Sequence, residues 1–234
     1  PNGRILLPAR SFRGVLRSHA ERILRTIALS YNPDLSEDDL KKVACRIDSR
    51  DNACKPEGFR TVPTRNGNND AARAAAIKHI VESTLCPACQ LFGNAGWASR
   101  VGVSDFEAKV IRAPERQEFL AIDRFTGGVS GSLKFNADFA RNPALSGKVR
   151  LDPPAKDWQT GLWALVLRDL FEGDVSFGWG RSKGYGACKA SPTPASSPVQ
   201  PYPPPAIAQA AVEALHKFVQ SIPAVAASLK GATA

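Results

Sequence analysis

Residues 4–29 read RILLPARSFRGVLRSHAERILRTIAL. RILL (residues 4–7) is a short apolar run of strand character, and PARSFRGVLRSHAERILRTIAL (8–29) changes period. On a 3.6-residue wheel Phe12, Val15, Leu16, Ile23 and Ile27 share one face, which predicts an amphipathic helix. Asn32-Pro33 ends it, because the residue before a proline is pushed out of helical backbone. A strand feeding a long helix opens a layered α/β arrangement, and the rest of the chain decides which one.

Residues 32–84 are mostly polar, with the stretches NPDLSEDD, SRDNACKPEG and RNGNND, and read as an insertion rather than core. Within it AARAAAIKHIVEST (71–84) predicts a helix, and CPACQLFG (86–93) follows as a second tight element, so the insertion runs from about 32 to 93. From Trp97 to Arg150 the pattern turns strand-like: WASRVGVSDFEAKVI, GSLKFNADFA and GKVRL alternate apolar with polar residues. EFLAIDRFTGGVSG (118–131) ends in glycines and reads as a flexible loop or hairpin tip. DWQTGLWALVLRDLFEG predicts a helix with Asp157 as N-cap and Gly173 just past its end. DVSFGWGRSKGYGACKA reads as strand, glycine turn, strand, with Cys188 a small buried residue. A Pro/Ser linker (191–205) and an Ala-rich C-terminal helix (206–234), of a kind that docks on a neighbour or leads into a next domain, close the chain. The order is strand, helix, insertion, several strands, helix, two strands. It fits an α+β fold of ferredoxin-like type: an antiparallel sheet with helices on one face.

Thirty-one Lys and Arg face 22 Asp and Glu, a net charge of +9, which favours a polyanion as partner. Nucleic acid is the better choice over an anionic membrane surface. No apolar run reaches the roughly 18 residues of a spanning helix, and no signal-peptide core is present. With no methionine anywhere and Pro1 first, either an initiator has been removed or the chain is a piece of a longer one.

Four of the five cysteines form a pattern that suits metal better than disulfides, which points to a reducing compartment, the cytoplasm. Cys86 and Cys89 make a C-x-x-C knuckle, and Cys45 and Cys54 lie upstream in a polar loop. Four thiolates close a tetrahedral shell around Zn2+ and leave no position for a reacting water, so the expected role is structural. The first pair is wider than a standard knuckle. A redox C-x-x-C or unconnected thiols are the competing readings, although no thioredoxin-like βαβ pattern surrounds the motif.

Arg10, Arg13 and Arg17 recur on one face of the first helix, with Ser11 in its first turn. Helix dipole, backbone N–H groups and guanidinium forks together hold phosphates, and Gly14 lets a backbone approach. An ordinary solvated arginine face is the bland alternative. FGWGRSKGYG (177–186) sets four glycines around Arg181 and Lys183, a turn able to nest a phosphate, without the spacing of a P-loop. Asp123-Arg124-Phe125-Thr126-Gly127-Gly128 puts a cation beside an aromatic at a loop tip. There Phe125 either stacks on a base or is buried over an Asp123–Arg124 pair that fixes the turn. His19 lies on the apolar side of the first helix and reads as packed rather than as a general base.

Taken together, these motifs resemble the RAMP superfamily, the repeat-associated proteins of CRISPR systems. PARSFRGVLRS is similar to the family's G-S-S-x-K-G-x-x-R element, and CPACQLFG to its L-F-G segment with zinc-type cysteines in front. AIDRFTGG resembles the I-D-R-x-T element at the base of the thumb hairpin, and FGWGRSKGYGACK the C-terminal glycine-rich motif. The four stand in the family's order across residues 4–190. The chain looks most like the backbone subunits of type III effectors, and its cysteines resemble those of the fused RAMP domains in the single-chain type III-E effector.

The resemblance implies a ferredoxin-like (RRM-like) domain over residues 1–190 that holds crRNA alongside other RAMP subunits or fused RAMP domains. Ser11, Arg13 and Arg17 would contact guide phosphates. Ile122 to Phe125 would lie near the thumb that interrupts the guide–target duplex, and Arg181 and Lys183 would line the RNA side. It also implies guide-directed recognition and cleavage of target RNA in antiviral defence, by a carboxylate with Mg2+. The family's cleaving aspartate would fall at or before Pro1, and Asp123 is read as structural, so no catalytic residue is assigned. A non-catalytic structural RNA-binding module, or a stand-alone pre-crRNA processing ribonuclease with His19 as base, are the alternatives.

Overall fold

The amphipathic stretch after Pro8 forms helix α1, Ala9–Tyr31. The computed structural model describes residues 5–46, 54, 70–108, 113–192 and 205–229. Phe12, Leu16, Ala20, Leu24, Ile27 and Ala28 are the buried apolar residues of α1. Phe12, Leu16, Ala20, Leu24 and Ala28 follow an i+4 row with Ile27 beside it, which leaves Val15 and Ile23 half-buried at its margin and adds Leu24 beyond the expected face.

The remaining elements are α2 (Glu37–Val43), α3 (Asp70–Thr84) and α4 (Pro87–Phe92), strands β1 (Leu6–Leu7), β2 (Val101–Val103), β3 (Phe106–Ala108), β4 (Glu115–Ile122), β5 (Val129–Phe139), β6 (Leu145–Ser146) and β7 (Val149–Leu151), then α5 (Asp157–Glu172), α6 (Pro205–Ser221) and α7 (Pro223–Leu229). Helix and strand are mixed, as expected. The described strands spread over three small sheets, ordered β1-β3-β6, β2-β7 and β4-β5, rather than one antiparallel layer. The chain divides into two units, Pro1–Ala9 with Val103–Lys148, and Arg10–Gly102 with Val149–Ala234.

In the first unit, β3 pairs antiparallel with β1 and β6, with Leu7 opposite Phe106 and Ala108 opposite Leu145. The described part of the long alternating run after Trp97 is therefore two short strands, interrupted at Ser104-Asp105. Asp105 accepts the Ala9 backbone N–H at 2.6 Å, which takes it out of the strand. β4 and β5 form a hairpin from Glu115↔Phe139 to Ile122↔Val129, with a register shift between Leu120 and Ile122. The stretch expected as loop is thus strand up to Ile122. One hairpin face carries Phe119 stacked on Phe135 at 5.1 Å, with Phe139 edge-on at 5.9 Å. The other carries the pairs Lys134–Glu118 and Arg116–Asp138.

In the second unit, α5 is the central helix. Trp158 stacks on Phe218 of α6 at 4.2 Å, and a Cβ on Gly161 would meet the Ala211 carbonyl oxygen at 2.0 Å, so the two helices touch backbone to backbone. The C-terminal segment therefore packs through α6 on this unit's own α5, and breaks at Ile222 before Pro223 into α7, which meets α6 and α2. Lys156, not Asp157, caps α5, with Gln159 accepting its backbone N–H; Gly173 turns left-handed past the end (φ 93°). α4 is wholly buried, so CPACQLF belongs to the core and not to a surface insertion. The strands expected around the glycine turn shrink to one bridge, Ser176↔Ala187. Cys188, just beyond it, is exposed instead of buried. The polar stretches 47–53 and 55–69, linker residues 193–204, and residues 1–4, 109–112 and 230–234 lie outside the described residues. No helix among the described residues is long and apolar enough to cross a membrane.

Candidate metal centre and adjoining groove

Cys86 is extended (φ −64°, ψ 158°) and stands at the head of α4, where Pro87 presets the first helical φ. One turn brings Cys89 back beside it. Cys45 follows α2, whose end is tied to α1 by Arg25 donating to the Ala44 carbonyl at 2.7 Å. With Cys54, all four sulfurs lie within 4.8 Å of one another, Cys45 and Cys89 at 3.4 Å. A tetrahedral zinc shell with 2.3 Å bonds places sulfurs about 3.8 Å apart, so the donor set fits Zn2+ in number, type and spacing.

Backbone N–H groups already point at the sulfurs: Cys45 donates to Cys86 Sγ at 3.4 Å and Cys86 to Cys54 Sγ at 3.3 Å. Asn94 Nδ2 donates to Cys89 Sγ at 3.3 Å. Thiol hydrogen bonds from Cys54 and then Cys86 pull Cys45 down to about 6. Cys89 is pulled well down by Cys45, Cys54 and Cys86, with Arg17 adding to it. Cys54 and Cys86 are pushed up, in each case first by the hydrogen bond to Cys45. The cluster thus shares protons within itself, and a bound dication would displace them all.

Arg17 joins this centre to α1. Its NH2 donates to Cys89 Sγ at 3.0 Å and faces Cys45 Sγ at 3.8 Å, its NH1 donates to the Gly93 carbonyl at 2.7 Å, and its Nε to Glu21 at 2.8 Å. Burial opposes the guanidinium charge, but Glu21 and the Cys89 thiolate outweigh it and raise the arginine further. Burial raises the Glu21 carboxyl, with Arg17 pulling the other way. The nitrogens expected to meet guide phosphates are committed inside the protein.

Beside this centre opens a groove of about 470 Å3, lined by Arg10, Arg13, Gly14 and Arg17 on one side and Gly93, Asn94, Trp97 and Ser99 on the other. Gly93 is left-handed (φ 89°), and a Cβ there would sit 2.9 Å from the Ser99 nitrogen, so only glycine folds this wall back. A Cβ on Gly14 would meet nothing within 4 Å. Arg10 and Arg13 are exposed and, among the described residues, have no hydrogen-bond or ion-pair partner. Ser11 is exposed in the same turn.

The glycine-rich segment is held to α1 by Phe177 stacked on Phe12 at 4.8 Å. Arg181 and Lys183 sit in a single 3-10 turn between two left-handed glycines, Gly180 and Gly184. Lys183 Nζ lies 5.7 Å from the ring centre of Trp179, which is 54% exposed. In the other unit, Phe125 at the hairpin tip is 100% exposed. Asp123 accepts from the N–H of Phe125 and Thr126 and from the Thr126 hydroxyl, which holds its carboxyl below the usual range. Asp123 thus fixes the turn through Thr126, not through Arg124, which is exposed.

His19 is 6% exposed, with Nε2 at 2.6 Å from Asp169 and Nδ1 against Arg22. Arginine can only donate, so Nδ1 accepts and Nε2 carries the proton to Asp169. Asp169, Glu172 and Asp174 bring carboxylates within 4.8 Å of one another, but Asp169 is committed to His19 and Arg168. The sequence reading gave no role to Gly93, Asn94, Trp97 or Trp179. The available signals were a GNAG turn next to the knuckle and a tryptophan set among glycines and cations.

Against known protein families, the RAMP superfamily model matches residues 1–189. No curated protein matches the chain.

Proposed function

The chain belongs to the RAMP superfamily, a family of CRISPR-associated RNA-binding proteins, and from that premise we propose that it is a crRNA-holding backbone unit of a type III-like effector. The carrying observation is the groove in which Arg10 and Arg13 stand exposed along α1 within reach of the Gly93–Ser99 wall. Arginines with no partner among the described residues, beside a low glycine, suit a ribose-phosphate strand, which offers a charge at every step and no demand on sequence. Arg181, Lys183 and the exposed Trp179 are assigned to the RNA-holding surface as well, on a turn that Phe12–Phe177 ties to α1. In this reading the four cysteines hold a structural zinc, residues 1–190 form a ferredoxin-like domain, and 191–205 is a linker. Other RAMP units pair with it in the cytoplasm, where thiols stay reduced. Target cleavage with Mg2+ would come from a residue this chain does not identify. The buried, doubly hydrogen-bonded His19 speaks against the processing-ribonuclease alternative.

Single-stranded RNA should bind with log Kd rising about 0.7 per log unit of salt for each phosphate neutralised. Reversing Arg10 and Arg13 to Glu should weaken every sequence alike and flatten that slope. Salt-independent binding, or unchanged affinity in the double variant, would contradict the proposal.

A further inference from the structure

We infer that Arg17 couples the cysteine centre to the groove, so that metal loading sets how tightly the groove holds a ribose-phosphate strand, and a bound strand tightens the metal. The inference rests on the RNA reading above and on the fit of the four thiols to zinc.

The geometry is one of shared anchors. One guanidinium spans from Cys89 Sγ (3.0 Å) to the Gly93 carbonyl (2.7 Å), and so from a metal ligand to the groove wall. Asn94 repeats the link from the wall's side, donating to Cys89 Sγ at 3.3 Å and to the Cys54 carbonyl at 2.9 Å. The wall is closed on itself by the Asn94–Trp97 backbone pair, 2.9 Å each way, so it moves as a piece. Four thiolates around one dication leave about two net negative charges and fix each sulfur as an acceptor. Both donors are then held in aim, and Gly93–Ser99 stays at the distance from Arg13 that makes the groove. Without the dication, no bond to a shared centre would hold the Cys89 sulfur in place as an acceptor. Arg17 is thus a positioning residue. Its fork is needed for the two directions, and a lysine ammonium on a flexible stem cannot hold both.

Coupling between two sites is reciprocal, so it can be read from either end. The test measures zinc affinity of the full chain by competition with a chromophoric chelator, with and without a saturating short oligouridylate. Oligouridylate affinity is measured with and without zinc. In the wild type both ratios should agree, at about tenfold, within the usual range for linked sites. Arg17→Lys should bring both ratios close to one and lower zinc affinity by roughly 10- to 100-fold, the usual cost of losing an outer-shell partner. Arg13→Ala should weaken the oligonucleotide while leaving zinc affinity alone. Wild-type zinc affinity unmoved by a bound oligonucleotide overturns the inference without need of any variant. So does a folded Arg17→Lys chain that keeps the full ratio. If the zinc-loaded chain binds no oligouridylate at all, the RNA reading itself falls and this inference with it.

Discussion

Asp169 is held down as a carboxylate: burial raises it, but His19 and Arg168 outweigh burial and the net shift is downward. A carboxyl lowered in the folded state adds stability above its ordinary value near 3.9, and that stability is lost as pH falls through the lower folded value. Asp169→Asn should cost about 1–3 kcal/mol at neutral pH, since it weakens the partner of a buried histidine. Urea denaturation at several pH values should show the acid limb flattened in the variant; an unchanged limb would remove Asp169 from the account. Phe125, wholly exposed, should behave oppositely. Phe125→Ala should leave stability within about 0.5 kcal/mol and weaken RNA by about 1–3 kcal/mol if a base stacks there. Arg17 shows why residue type alone misleads. Its i, i+3, i+7 place beside Arg10 and Arg13 marks it as a phosphate contact, yet its donors meet Glu21, the Gly93 carbonyl and Cys89, the last 72 residues away in sequence.

The elements divide by how local their causes are. α1 and α5 are legible because an apolar period over many residues averages out single misplacements such as Ile23 for Leu24. The knuckle is legible because two thiols at that spacing have few other uses. α4 is harder: cysteine, proline and glutamine look like a surface turn, but all six of its residues are buried. The short strands β2 and β3 were unreadable as two, because Asp105 leaves the ladder only to meet Ala9, a partner far off in sequence. The α5–α6 contact is hidden likewise, since a glycine in a helix gives no sign of which backbone it admits. Gly161→Ala should therefore destabilise by about 1–3 kcal/mol through overpacking against Ala211, against the gain of a few tenths to about 1 kcal/mol that the same change gives in an open helix. Thermal unfolding of the variant decides between the two signs.

For the molecule as a whole, in the proposed reading, the positive charge, the cysteine centre and the open arginines describe a body that holds a nucleic-acid backbone and is stiffened by metal. The purified chain should carry about one zinc, and chelation should lower its melting temperature. A metal-free chain with unchanged stability would make the cysteines incidental. The groove is the more central claim, and photocrosslinking tests it most directly. Oligoribonucleotides carrying 4-thiouridine are bound to the intact, zinc-loaded chain, irradiated, and the attached peptides are mapped by mass spectrometry. Crosslinks should fall in residues 10–17 and 93–99, with further ones near Trp179. Attachment confined to other segments, with those peptides untouched, would contradict the account.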